Sequence, residues 1–263
     1  MNDDALLDRL EAAIGTDALR YCYQPKVSLS DGKLRRVEAL IRWDDEVHGT
    51  IGPDRFIPLA EENGLIDSLT RWGLDTAFRQ WREWTDQGIE CELAFNISAR
   101  SLEALDFPDL VEAKTAEYGV PASCLVLELT EGSTQTLINL MDTLTRFRIK
   151  GIGLAIDDFG TGYSTLKLLR MLPFTELKID RFFVRDAERS MDSRVIVEAM
   201  IGLAHGLGLS ATAEGIENDA QLSLMKALGC DLAQGYRIGR PLDAAALPDW
   251  QRDWMQEWET LRL

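Results

Sequence analysis

The sequence predicts an α/β fold of the TIM-type (β/α)8 barrel class, and three observations carry that prediction. Eight short runs of strand character recur along the 263 residues: "YCYQPKVSL", "RVEALIRW", "ELAFNIS", "CLVLELT", "GIGLAID", "ELKID", "LSATAEG" and "CDLAQGY". Longer stretches of helical spacing lie between them, such as Leu137, Leu140, Met141 and Leu144, or Val195, Ile196, Ala199, Met200 and Leu203. Strands that alternate with helices build a parallel sheet, and eight such units in a chain of this length favour a closed barrel over an open sheet. The third observation is that most strand runs carry a polar or charged residue at or near their ends, where barrel strands line a catalytic face.

Taken in order, the chain opens on "ALLDRLEAAI", which predicts a helical N-terminal extension over residues 1–18. Residues 19–263 then form one barrel domain, because no Gly/Ser/Pro-rich linker, fixed-period repeat or low-complexity tract interrupts them. The successive strand runs offer Gln24, Glu38, Asn96, Glu128, Asp157 with Asp158, Lys178, Glu214 and Gln234. Inward positions other than these are expected to face packed layers of Val, Ile and Leu. The last helix repeats tryptophan at Trp250, Trp254 and Trp258, a stripe at i, i+4 and i+8 that packs on the barrel or, failing that, meets a subunit or regulatory domain.

Composition narrows the function. A formal charge of −16 with no basic stripe argues against a nucleic-acid polymer or an anionic membrane as partner. No run of 18 apolar residues occurs and "MNDDALLDRL" opens acidic rather than basic, so a cytoplasmic protein without membrane insertion is expected. Cys22, Cys91, Cys124 and Cys230 are too scattered for a metal motif or a disulfide scaffold and read as buried thiols. The two histidines, His48 in a turn-like "VHGT" and His205 before "GLG", do not suggest zinc or a histidine base.

Singly, each polar strand residue has a plain structural explanation: an exposed strand face for Glu38, a turn for Asn96, a helix cap for the "DD" before "FGTG". Gathered in one mouth, five carboxylates and an amide would repel one another unless divalent cations neutralised them. An all-oxygen donor set suits Mg2+ or Mn2+, and adjacent Asp157 and Asp158 suit two ions held close together, as in hydrolysis at phosphorus. Lys178 in "ELKID" is placed to orient an attacking water or to steady phosphoryl charge; the competing reading is a surface ion pair with Asp180.

The ordered motifs "QPK" (24–26), "EALIRW" (38–43), "FNIS" (95–98), "ELTE" (128–131), "DDFGTGYSTL" (157–166), "LKID" (177–180), "AEGIE" (213–217) and "QGY" (234–236) resemble the EAL family of cyclic di-GMP phosphodiesterases. That resemblance implies a barrel whose first strand runs antiparallel. It also implies hydrolysis of cyclic di-GMP to linear pGpG with two Mg2+ or Mn2+ ions. By matching position, Glu38, Asn96, Glu128 and Asp157 are metal ligands, Asp157 is shared between the ions, and Asp158 and Glu214 serve the second. Lys178 stands beside the nucleophilic water, and Glu217 supports the catalytic group of Lys178, Glu38 and Glu214. Gln24 and Arg42 contact substrate, with Gln234 a further polar contact. Glu131 anchors the loop that begins at Asp157, a loop implicated in metal binding and homodimer contact, with glycines at 160 and 162 for hinge freedom. A fused or interacting regulatory domain is a further implied partner. A catalytically silent cyclic di-GMP receptor is the alternative, and an enolase-like lyase a remote one. A kinase reading of "DFG" fails for want of its companion motifs.

Overall fold

The computed structural model describes residues 3–130, 137–160 and 165–261, so Glu131 and the loop residues 161–164 lie outside the described residues. The elements run α1 (Asp3–Ala13), β1 (Leu19–Ser28), β2 (Leu34–Asp45), β3 (Gly49–Ile51), α2 (Pro53–Glu62), α3 (Ile66–Asp86), β4 (Glu92–Asn96) and α4 (Phe107–Tyr118). There follow β5 (Leu125–Thr130), α5 (Leu137–Ile149), β6 (Gly153–Phe159), α6 (Thr165–Met171), β7 (Glu176–Ile179), α7 (Arg181–Asp186), α8 (Met191–Gly206), β8 (Ser210–Ala213), α9 (Asp219–Ala227), β9 (Leu232–Gln234) and α10 (Leu247–Thr260).

Hydrogen bonding joins the strands in the order β1-β9-β8-β7-β6-β5-β4-β2, and β1 also pairs with β2, which closes an eight-stranded barrel. Strand β1 is antiparallel to both its neighbours, whereas the other pairs of the barrel are parallel. Each predicted strand run therefore holds one barrel strand. The addition is β3, whose three residues are too short to show an alternation.

Strand β2 outruns the barrel. Only Arg36–Ala39 pair with β4, and the remainder continues beyond the rim with β1 and β3. There a second small core forms, in which Leu6, Leu10 and Ala13 of α1 bury against Leu19, Trp43, Ile51, Phe56 and Ala60. Arg9 fastens α1 further by donating to Asp45 at 2.6 Å. The main core lies between the outer strand faces and the helices, with Leu93, Phe95, Leu127, Leu154, Ile156, Leu177 and Ile179 all buried.

The barrel interior departs from the expected layers of Val, Ile and Leu. Side chains from non-neighbouring strands meet across it, as Arg36 does with Glu176 and Lys178 with Glu128, so the buried charges face inward. At the floor Arg36 also pairs with Glu92 at 2.7 Å, and Thr212 donates to Glu176. Buried ions persist only when paired, and here the ions of one strand find partners on others. The tryptophan stripe packs on the barrel beside the β1–β2 turn: Trp254 is buried and donates to the Gly32 carbonyl at 2.7 Å, while Trp250 stacks on it with centroids 6.2 Å apart. Gly32 sits at φ 73°, and a Cβ there would lie 2.2 Å from the Trp258 ring, so only glycine fits this turn.

Cys22, Cys91 and Cys230 are buried and Cys124 is half-buried, all as free thiols. His205 falls in the last turn of α8 and bonds Asp231 at 2.9 Å, while His48 bonds the Asp45 carboxylate at 2.9 Å in its turn. Among the described residues no helix is long and apolar enough to cross a membrane.

Candidate active site

Parallel strands deliver their C-terminal residues to one end of the barrel, and there the predicted polar residues converge. Successive residues of a strand point to opposite faces, so Asp157 and Asp158 in regular pairing would diverge. The register between β6 and β7 slips between Ile156 and Phe159, and Asp158 adopts φ 53°. This bulge re-aims a side chain, the left-handed conformation is one that Asp tolerates, and Asp157 Oδ1 accepts from the Asp158 amide at 2.8 Å. As a result, carboxylate oxygens of Asp157, Asp158 and Glu214 lie within 4.8 Å of one another.

Lys178 stands beneath this group. It is buried, and its ammonium lies 2.7 Å from Glu128, 2.9 Å from Asp157 and 2.8 Å from Glu214. The competing pairing with Asp180 does not form, because Asp180 caps α7 by accepting from the Phe182 amide at 2.8 Å. Opposite, Glu38 accepts from Asn96 Nδ2 at 2.8 Å and Gln234 Nε2 at 2.7 Å. Gln234 Nε2 also donates to Gln24 Oε1 at 3.0 Å, and Gln24 donates to the Gly239 carbonyl at 2.9 Å.

The electrostatics follow from burial and from an imbalance of charge. Burial would lower the Lys178 ammonium, yet Glu128, Glu214, Glu38 and Asp157 hold it well above its ordinary value. Burial would raise Glu38, but the Lys178 and Lys26 charges and the two amide donors bring it below the usual carboxylate range. Glu128 goes the other way, pushed up by burial and by the Glu38 charge. Asp158 rises to about 6 through burial and its Asp157 and Asp180 neighbours, and Glu214 to about 8 through burial first and then the Asp157 and Glu38 charges. Were all five carboxylates here ionised, the two ammoniums would leave three negative charges uncompensated, and the raised carboxyls relieve that excess by holding protons.

Such a set fits divalent cations. The donors are all oxygens, the negative charge is in excess, and Gln234 Oε1 is a buried acceptor with no hydrogen-bond partner among the described residues. A testable consequence concerns pH. The folded protein without metal holds protons on Asp158 and Glu214 that the unfolded chain has already released above its ordinary carboxylate values, so stability falls as pH rises through about 6 and about 8. Thermal melting in a chelator is expected to show a lower midpoint at pH 8 than at pH 5.5, and added Mn2+ to remove the difference. A midpoint that rises over this interval would contradict the charge crowding.

The EAL domain family matches residues 7–241. This chain belongs to that family. Among its relatives, cyclic di-GMP phosphodiesterase NbdA of Pseudomonas aeruginosa is 41% identical over 247 residues, 93% of this chain and 32% of the relative. The bifunctional diguanylate cyclase/cyclic di-GMP phosphodiesterase MucR of the same organism is 40% identical over 244 residues, 92% of this chain and 36% of the relative. The chain thus spans about a third of the length of these curated relatives. The solved structure "PaMucR Phosphodiesterase, c-di-GMP complex" superposes with a TM-score of 0.85 at 40% identity, covering 92% of this chain and 99% of that one.

Within this EAL barrel, then, Glu38, Asn96, Glu128, Asp157, Asp158, Lys178, Glu214, Gln24 and Gln234 form one contiguous set. Arg42 stands apart, half-buried on the β2 extension and bonded to the Ile41 carbonyl at 2.9 Å, on the same strand face as Glu38. Glu217 is exposed, and no hydrogen bond or ion pair joins its carboxylate to the cluster among the described residues; its amide donates to Gln221 at 2.7 Å. Gly160 follows the bulge at φ 102°, where a Cβ would lie 2.7 Å from Met200 and 2.9 Å from Phe183; close packing, beyond hinge freedom, calls for glycine there. Lys26, quoted in the sequence only within "QPK" and given no role there, is wholly buried and paired with Glu128. Its signal was its spacing, two residues beyond Gln24 on a strand and hence on the same face.

Proposed function

We propose that this EAL barrel hydrolyses cyclic di-GMP to linear pGpG in the cytoplasm, with residues 19–263 as the catalytic domain and residues 1–18 as an accessory helical segment. The observation that supports this most is the gathering of Asp157, Asp158 and Glu214 above Lys178 at the barrel mouth. Glu38, Asn96, Glu128 and Asp157 would hold one divalent ion, and Asp157, Asp158 and Glu214 a second. Two Mg2+ or Mn2+ ions held there would supply an activated water and neutralise phosphoryl charge during in-line displacement.

The remaining steps belong to the chain's own side chains. Lys178, fixed by three carboxylates, orients the attacking water by donating a hydrogen bond and offsets charge on the phosphoryl oxygens. Gln24 and Gln234, locked to each other and to Glu38, present a preorganised edge to the substrate, and Arg42 supplies a cation farther along the same face. Glu217 supports from the loop after β8, and the chain acts as a homodimer. The greater length of the curated relatives supports a regulatory partner domain.

The test is incubation of the purified chain with cyclic di-GMP and Mg2+ or Mn2+, with products followed by chromatography and Glu38→Ala as control. Metal-dependent pGpG that the control lacks is the expected result. Cyclic di-GMP binding without turnover under either metal would overturn the proposal in favour of a receptor.

A further inference from the structure

Lys26 has no part in the mechanism above, yet it is the most enclosed charge of the site, with no exposed surface. It comes from β1, the strand that runs against the others, and enters the barrel below the mouth. Its ammonium bonds Glu128 Oε1 and lies 3.7 Å from Glu38 Oε2, while Glu128 Oε2 accepts from Lys178 at 2.7 Å. Both oxygens of Glu128 thus face an ammonium, and one of the two charges also leans on Glu38.

We propose that Lys26 is a positioning residue that sets the divalent-cation affinity of the site by competing, as a fixed internal cation, for Glu128 and Glu38. The inference rests on the reading of those two carboxylates as metal ligands. Its physical basis is that a buried ammonium touching two ligands both draws on their negative charge and repels an arriving dication, at a dielectric far below that of water. The same charge keeps the metal-free barrel foldable, because five crowded carboxylates would otherwise share one ammonium. Lys26 therefore lowers cation affinity in exchange for a stable metal-free state. Its neighbour Gln234, across the β1–β9 pairing, is neutral and cannot take over this role.

Lys26→Met keeps the apolar stem and removes the charge, so the fully ionised site that a cation meets carries a formal excess of four negative charges instead of three. Calorimetric titration of the whole chain with Mn2+ alone is expected to show a dissociation constant at least about tenfold lower than wild type. The metal-free melting midpoint should fall, and the Mn2+-induced rise in midpoint should exceed that of wild type. Lys26→Arg, which keeps the charge, should return both readouts toward wild type. A merely structural lysine would lower the midpoint without tightening Mn2+ binding, so unchanged or weaker affinity in folded Lys26→Met overturns the proposal. Should Lys26→Met fail to fold without metal, refolding in Mn2+ to a cooperative melt supports it, and failure of both Lys26→Met and Lys26→Gln to respond to Mn2+ overturns it. If wild type itself binds no Mn2+, the metal-site reading falls and this inference with it. If wild type binds, Asp157→Ala does not, and Lys26→Met matches wild type, this inference alone falls.

Discussion

Lys178→Met is expected to lower cyclic di-GMP turnover by at least about a hundredfold, the loss that follows removal of a preorganised donor at a developing charge. It should also destabilise the metal-free barrel by about 3–5 kcal/mol, since it strips the partner from buried charges. The ammonium of Lys178 contacts Glu128, Asp157 and Glu214 at 2.7 to 2.9 Å, and Glu128 is fully enclosed. Removing that partner leaves Glu128 where water cannot reach it and Asp157 and Glu214 only partly exposed, all three already crowding one another. Divalent cations should restore most of the stability and little of the turnover, because they replace the charge but not the hydrogen bond to water. Urea denaturation with and without Mn2+, set beside steady-state rates, separates the two effects. An unchanged denaturation midpoint would refute the neutralising role of Lys178.

Asp157→Asn tests charge while keeping shape. The asparagine oxygen can still accept from the Asp158 amide, so the bulge that aims Asp158 at Glu214 survives. What disappears is one negative charge in a cluster where carboxylates outnumber ammoniums. The metal-free protein should therefore become slightly more stable, and the Asp158 and Glu214 carboxyls, both raised in part by the Asp157 charge, should titrate lower. Turnover is expected to fall by more than about a hundredfold, beyond what is lost when a group one step removed from a metal is changed. Mn2+ affinity should fall with it. Turnover near wild type in a variant that binds Mn2+ normally would remove Asp157 from the ligand set.

How far the site was legible depended on strand direction. Glu38, Asn96, Glu128, Asp157, Lys178 and Glu214 stood out as polar residues near the ends of apolar strand runs, and on parallel strands those ends share one mouth. That rule fails on β1. Because β1 is antiparallel, its later residues descend into the barrel, and Lys26 lies below Gln24 instead of above it. A reading of strand ends passes over such a residue. The floor pair Arg36 and Glu176 was hidden for a related reason: its partners lie 140 positions apart and meet only after the barrel closes.

The sequence by itself determined the alternation of strands and helices, the barrel, its family and the identity of most polar groups at the mouth. These follow from periodicity and motif order, which are properties of neighbours along the chain. The tertiary structure alone decided the slip that turns Asp158 toward Glu214, the placing of Lys26 against Glu128, and the exposure of Glu217 away from the cluster. Each depends on which strands become neighbours and in what register, and that is settled by packing across the closed barrel, between residues that local pattern cannot relate.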